Sequence, residues 1–266
     1  MIGSIIGDIV GSVYEFDNIK SKEFEFMTED MSFTDDSILT CATAQWLLDG
    51  GLVDKFYASF AQDYPRPMGG YGSSFVGWII RASRGIYEPY GSCGNGSAMR
   101  VGPVGWAFDT LDETLEAAKQ SAECTHDHPD GILGAQVTAM CIFMARNGAA
   151  KQEIRAAVER MGYSLDMTCD QLREDYAWHS KWGNGAICQA SVPQAIVCFL
   201  EGEDFEDCVR NAVSIGGDSD TIGCITGSIA EAFYGVPASI REKALEMLDT
   251  RLRNVVEAFE AKYGSK

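Results

Sequence analysis

Residues 2–16 read IGSIIGDIVGSVYEF, with Gly3, Gly7 and Gly11 at every fourth position. That spacing puts the three glycines on one face of an α-helix. A face without side chains lets a second backbone come close, the small-xxx-small mode of packing. Asp8 interrupts the apolar run and Glu15 and Asp17 end it, so the segment reads as a buried helix and not as a membrane span. The glycines do not account for Glu15, a carboxylate that follows them directly.

The helical period continues outward from this segment. Apolar residues recur three and four apart over residues 38–48, 111–122, 132–146, 152–161, 187–200, 221–234 and 239–262. Leu111, Leu115, Ala118 and Ala122 show the pattern, with charged residues filling the positions between. Pro193 predicts a kink or a junction within its segment, and the longest segment has a candidate break near Thr250. Residues 75–80 suit a helix or a strand, and no convincing alternating strand occurs elsewhere. No linker, low-complexity tract or change of composition divides the chain. The expected architecture is a single compact all-α domain over residues 1–266.

With 46% hydrophobic and 23% charged residues, the chain can bury a substantial core. A formal charge of −18 argues against a nucleic-acid-binding or anionic-membrane-binding surface and is compatible with bound cations. Nine cysteines form no CxxC pair and sit mostly in apolar stretches such as Met140-Cys141-Ile142. This usage reads as reduced, buried thiols in a cytoplasmic protein. No signal-peptide pattern and no long uncharged apolar run is present, so a soluble, intracellular chain is expected.

Two acidic segments stand out. FTDDS holds Thr34, Asp35, Asp36 and Ser37 just before a helical stretch; SIGGDSDTIG, residues 214–223, holds Asp218, Ser219, Asp220 and Thr221 behind a glycine pair. Taken singly, each suits a helix N-cap, where hydroxyls and carboxylates accept free N–H groups and complement the dipole. A cap needs one oxygen, whereas each segment offers two carboxylates and hydroxyls. Two such clusters, if they meet, make an oxygen-rich site for two hard cations, Mg²⁺ or Mn²⁺.

The segment GSCGNGSAMRVGPVGW, residues 91–106, is glycine-rich and fits neither the P-loop nor the dinucleotide-binding pattern. It is either an ordinary loop or a backbone cradle for phosphate. In THDHPDG, His126 and His128 lack a third ligand at zinc spacing, so hydrogen bonding or capping is the better reading.

Seven motifs in order carry a resemblance: GDIVGSVYEF, FTDDS, GGYG at 69–72, YGSCGNGSAMRVGPVGW, THDHPDG, WGNGAICQASVPQAI at 182–196, and SIGGDSDTIG. Together they resemble the ADP-ribosylglycohydrolase family, which includes the dinitrogenase reductase-activating glycohydrolases. The resemblance implies an all-α fold with a binuclear Mg²⁺ or Mn²⁺ centre at the base of a cleft. It implies a hydrolase that cleaves ADP-ribose from a modified arginine, serine or small acceptor. Some members resemble eye-lens crystallins, so a non-catalytic ADP-ribose-binding or structural protein is the alternative. By the same resemblance Thr34, Asp35, Asp36, Asp218, Asp220 and Thr221 are the metal ligands. Glu15, with Asp35 and Asp36, belongs to the catalytic group. Gly91, Ser92, Cys93, Gly94 and Asn95 match the loop around the diphosphate and distal ribose. His126 matches a ribose or phosphate contact, Gly70 a backbone contact, and Tyr87 an aromatic ring against adenine. Cys93 stands where some relatives carry an aromatic ring, and Ser37 where many carry threonine.

Overall fold

The computed structural model describes residues 1–181 and 183–264. Trp182, the first residue of the WGNGAICQASVPQAI motif, lies outside the described residues. The helices of the first half are α1 (Ile2–Gly11), α2 (Asp35–Asp49), α3 (Val53–Asp63), α4 (Ser73–Ala82), the short α5 (Gly96–Met99) and α6 (Val104–Ala107), and α7 (Leu111–Glu123). The second half adds α8 (Pro129–Arg146), α9 (Lys151–Arg160), α10 (Cys169–Asp175), α11 (Val192–Glu201), α12 (Phe205–Ser214), α13 (Ser219–Tyr234), α14 (Ala238–Met247) and α15 (Thr250–Tyr263). A two-stranded ribbon, β1 (His179–Ser180) and β2 (Gly183–Asn184), pairs antiparallel with His179 opposite Asn184. The fold is all-α, as expected.

At the centre α1 runs antiparallel to α13. A side-chain carbon on Gly7 would sit 1.9 Å from the Gly223 carbonyl oxygen, and one on Gly227 would sit 2.2 Å from that of Gly3. Glycines on both helices therefore interlock, and the backbones touch where side chains would stand. Every residue of α1 is buried, as is α13 from Ser219 to Ala230. One contiguous cluster of apolar side chains surrounds this pair.

The open points of the sequence resolve locally. Residues 75–80 lie inside α4, which buries Phe75, Trp78 and Ala82 at helical spacing. Pro193 marks a junction: a 3₁₀ turn over Cys188–Ala190 precedes it, and it sits in the first turn of α11. The C-terminal stretch does break, with the Asp249 side chain accepting from Leu252 N at 3.0 Å to start α15. The short α3, α5, α6, α10 and α12 are additions to the expected set. All nine cysteines are free and seven are buried. Among the described residues no helix is long and apolar enough to cross a membrane.

Candidate active site

The end of α1 and the start of α13 meet at one place. Gly216 and Gly217, at φ +75° and +74°, make the left-handed turn that delivers Asp218 and Asp220 to this point. A side chain on Gly217 would also strike the Tyr176 ring at 2.3 Å. Asn18 clamps the turn from across the chain: its amide nitrogen donates to Gly217 O at 2.9 Å, and Gly217 N donates to Asn18 Oδ1 at 2.8 Å. The same amide nitrogen reaches Tyr14 O at 2.6 Å and Glu15 O at 3.2 Å. One side chain thereby ties the Glu15 segment to the 216–218 turn. As a result one carboxylate oxygen each from Glu15, Asp218 and Asp220 lies within 4.8 Å of the others.

The first acidic segment arrives by a different device. Asp8, fully buried on α1, accepts from Thr34 N at 2.9 Å, Thr34 Oγ1 at 2.6 Å, Ser37 N at 3.0 Å and the Ser37 hydroxyl. Thr34 also caps α2, accepting from Asp36 N at 3.2 Å. Its hydroxyl is engaged with Asp8 and does not line the cleft, whereas Asp35 and Asp36 do. Capping thus falls to Thr34 and leaves both carboxylates free. At the second segment Asp218 makes no side-chain cap; its Oδ2 accepts from Asn95 Nδ2 at 2.7 Å.

The electrostatics follow from burial among like charges. The Glu15 carboxyl is pushed up to about 8, first by desolvation and then by Asp220 and Asp8. Asp218 rises to about 6 by burial, with hydrogen bonds from its neighbours opposing the rise. Burial first, then Asp220 and Asp8, hold Asp35 and Asp36 well above the carboxylate range; Asp220 rises through burial and then Asp218. Among the described residues none of these five carboxylates is ion-paired with lysine or arginine. Asp36 Oδ2 is buried with no hydrogen-bond partner at all. An all-oxygen donor set with missing counter-charge and an orphaned carboxylate oxygen fits hard divalent cations.

The carboxylates floor a cleft of ≈ 340 Å³, within the range of small-molecule sites. Of the residues that the resemblance singled out, Gly70, Ser92, Gly94, Asn95, His126 and Thr221 line it. Three other sequence candidates do not. Tyr87 packs edge-on to Trp78 at 6.1 Å beneath Lys55; Tyr90, three residues on, lines the cleft instead. Gly91 lies outside the lining and donates its N–H to Asp127 Oδ1 at 2.7 Å. Cys93 is also outside it, its carbonyl accepting from Cys188 N at 3.0 Å. The amides of Gly94 and Asn95 are spent as well, on Ser92 Oγ at 3.0 Å and Ala186 O at 3.0 Å. The glycine-rich loop is thus pinned through its own N–H groups, which narrows the expected backbone cradle to the amides that remain.

Residues the sequence did not flag complete the site. Trp178 forms a wall, its indole N–H donating to Glu15 O at 3.0 Å. Arg100 is fully buried, near enough to His126 to act on its charge, and belongs to the residues that line the cleft. Asp8 and Asn18 bridge segments too far apart in sequence for spacing to reveal; only their place beside motif residues could have raised them.

The family described as ADP-ribosylglycohydrolase matches the chain over residues 1–266. ADP-ribosylhydrolase ARH3 of Mus musculus is 29% identical over 306 residues, covering 89% of this chain and 83% of that protein. ADP-ribosylarginine hydrolase Tri1 of Pseudomonas putida is 22% identical, covering 89% of this chain and 70% of that protein. A solved structure of an ADP-ribosylglycohydrolase-related protein complex superposes with a TM-score of 0.70 at 23% identity, over 98% of this chain and 96% of that one. This last likeness concerns the fold.

Proposed function

The chain belongs to the ADP-ribosylglycohydrolase family, and we propose on that premise that it is a divalent-metal-dependent hydrolase releasing ADP-ribose from a modified arginine or serine side chain or a small acceptor. The observation that carries this reading is the meeting of Glu15, Asp35, Asp36, Asp218 and Asp220 on the floor of one ligand-sized cleft. The 266 residues work as one domain, and nine unpaired thiols suit a reducing, cytoplasmic setting.

Asp35, Asp36, Asp218, Asp220 and Thr221 would hold two ions, Mg²⁺ or Mn²⁺, with Thr34 reinforcing the first segment from its cap position. When bound, such ions neutralise the carboxylates, orient ribose hydroxyls and lower the pKa of water. The remaining chemistry belongs to the chain. Departure of the acceptor builds oxocarbenium character at the anomeric carbon, which the attacking water then meets. Glu15, at the edge of the carboxylate floor and anchored through its carbonyl by Asn18 and Trp178, takes the proton of the attacking water, and the departing acceptor takes up one proton in balance. Asn95 keeps Asp218 in place, and His126 and Tyr90 line the wall that receives the nucleotide.

The test is a panel of defined ADP-ribosyl-arginine and ADP-ribosyl-serine peptides, each assayed with Mg²⁺, with Mn²⁺ and with excess EDTA. The expected result is metal-dependent release of ADP-ribose from at least one conjugate. Full turnover in EDTA would rule out the metal-dependent reading. Tight binding without release from any conjugate would favour a non-catalytic binding protein.

A further inference from the structure

His126 is 5% exposed, lines the cleft and, among the described residues, has a hydrogen-bond partner at one of its two ring nitrogens. Its Nδ1 lies 2.7 Å from Thr125 Oγ1. That hydroxyl has a second neighbour at 2.7 Å, Arg100 Nη2, which has only protons to give. The one proton of Thr125 therefore goes elsewhere. The other acceptors within reach are Cys124 Sγ, a weak one, and Ala122 O at 3.4 Å, and this oxygen already accepts from His126 N at 2.7 Å and Thr125 N at 3.0 Å. A carbonyl has two lone pairs, and both are taken. Of the acceptors that remain, the imidazole Nδ1 at 2.7 Å is closer and stronger than the sulfur, and the Thr125 proton goes to it.

We propose that Arg100 and Thr125 are positioning residues: a one-way chain of hydrogen bonds, Arg100 Nη2–H to Thr125 Oγ1 and Thr125 O–H to His126 Nδ1, fixes His126 as the Nε2–H tautomer. The cleft thereby receives an uncharged hydrogen-bond donor of fixed direction. Nε2 has no protein partner among the described residues and faces the glycine-rich loop: side-chain carbons built on Gly96 and Gly94 would lie 3.1 and 3.5 Å from it. The Tyr90 ring, its centroid 5.9 Å away, holds the imidazole from one side.

The surroundings explain why an arginine stands here. Arg100 is fully buried, its guanidinium 3.9 Å over the Tyr57 ring, and both Nε and Nη1 lack partners. Among the described residues its side-chain hydrogen bonds run from Nη2, to Ser121 O at 2.7 Å, to Thr125 and, longer, to Cys124 Sγ. A buried cation with two unmade hydrogen bonds is costly. Beside His126 it has a return: it disfavours a second positive charge on the ring, and with burial, the larger cause, it holds the imidazole well below its usual pKa. An uncharged N–H suits a nucleotide that must bind an oxygen of its phosphate or ribose here and still leave after turnover. This last step rests on the function proposed above; the tautomer does not.

Side-chain ¹⁵N spectra of the three histidines, with His126 identified by His126→Gln, read the tautomer directly. At neutral pH the protein without ligand is expected to show His126 neutral with its proton on Nε2. Thr125→Val should give a mixture of tautomers and weaken ADP-ribose binding by about five- to tenfold, the worth of one neutral hydrogen bond. Thr125→Ser should restore both, and Arg100→Met should shift the mixture in the same direction as Thr125→Val. A proton on Nδ1 in the unaltered protein, or an unchanged tautomer in folded Thr125→Val, would overturn the relay. Should Thr125→Val not fold, the unaltered and Thr125→Ser spectra still decide. An Nε2–H tautomer in a protein that binds no ADP-ribose would uphold the relay and remove the nucleotide reading.

Discussion

The two ends of the α1–α13 pair are built on opposite terms. At one end Gly3 and Gly7 interlock with Gly223 and Gly227, and the contact is dry, apolar and backbone to backbone. At the other, one turn of helix away, Asp218 and Asp220 crowd against Glu15, with no lysine or arginine paired to them among the described residues. The seam maximises stability; the floor stores electrostatic strain. The two are mechanically one unit. A side-chain carbon on Gly11 would lie 2.5 Å from the Asp220 Cα, so the spacing of the seam fixes how closely the second acidic segment approaches α1. A rigid contact is what allows like charges to be held close, since any slack would let them move apart.

Changes at the two ends should therefore have opposite signatures. The largest effect is expected at the floor: Asp220→Asn should lower ADP-ribose release by about 10²–10³-fold, the range for a lost electrostatic group at a reacting centre. In EDTA the same variant should melt no lower than the parent, because one buried carboxylate has gone from a repelling cluster. A variant that kept full turnover, or that melted well below its parent in EDTA, would erase the distinction. At the seam, Gly7→Ala places a methyl group against the Gly223 backbone and is expected to cost about 1–3 kcal/mol or more, the range for overpacking. Thermal unfolding at fixed pH checks it, and a wild-type melting temperature would show that the helices have room the geometry denies.

The floor's strain also carries a pH signature. The carboxyls of Glu15, at about 8, and Asp218, at about 6, are raised in the folded protein above their unfolded values. The folded state then binds more protons than the unfolded one between those values, so stability falls as pH rises. Without metal, the contribution is complete below about pH 4 and is lost progressively up to about pH 8. Melting temperatures in EDTA should fall over that interval, and saturating Mg²⁺ or Mn²⁺ should flatten or reverse the slope. Equal slopes with and without cations would mean that the ions bind elsewhere. Gly7→Ala should lower the whole curve without changing its slope, which separates the two regions in one experiment.

The seam was far more legible in the sequence than the floor. Gly3, Gly7 and Gly11 announce a close helix contact by spacing alone, because helical periodicity is a local property. Even so, the partner face, Gly223 and Gly227, is plain only once the two helices are paired. The acidic segments were visible as residue types, but their meeting depends on Asn18 and Gly217, joined across 199 residues by hydrogen bonds that no window of sequence contains. Asp8 looked like an interruption of an apolar helix and is the acceptor that orders Thr34 and Ser37. The glycine-rich loop misled in one respect: its exposed amides are largely consumed by its own anchoring, to Ser92, Asp127 and Ala186.

The smallest expected effect lies at the rim, where the floor's terms give way to ordinary packing. Tyr87 and Tyr90 are three residues apart in an irregular stretch, so one backbone turn decides which ring faces the ligand. The resemblance favoured Tyr87, yet that ring is held against Trp78 and under Lys55, while Tyr90 stands beside His126 on the cleft wall. Burial raises the Tyr90 hydroxyl to about 12, so it stays protonated and the ring acts as a neutral apolar surface. Tyr90→Ala is expected to weaken ADP-ribose binding by about tenfold, in keeping with one aromatic contact of roughly 1 kcal/mol. It should leave the metal-free pH slope unchanged, since no floor carboxylate has been touched. Tyr87→Ala should leave ADP-ribose affinity within about twofold and instead lower the melting temperature, because its ring packs on Trp78. Titration calorimetry and thermal melts on the two variants separate these outcomes. If Tyr87→Ala carried the loss of affinity and Tyr90→Ala did not, the ligand would lie along α4, away from His126, and the wall described here would be the wrong one.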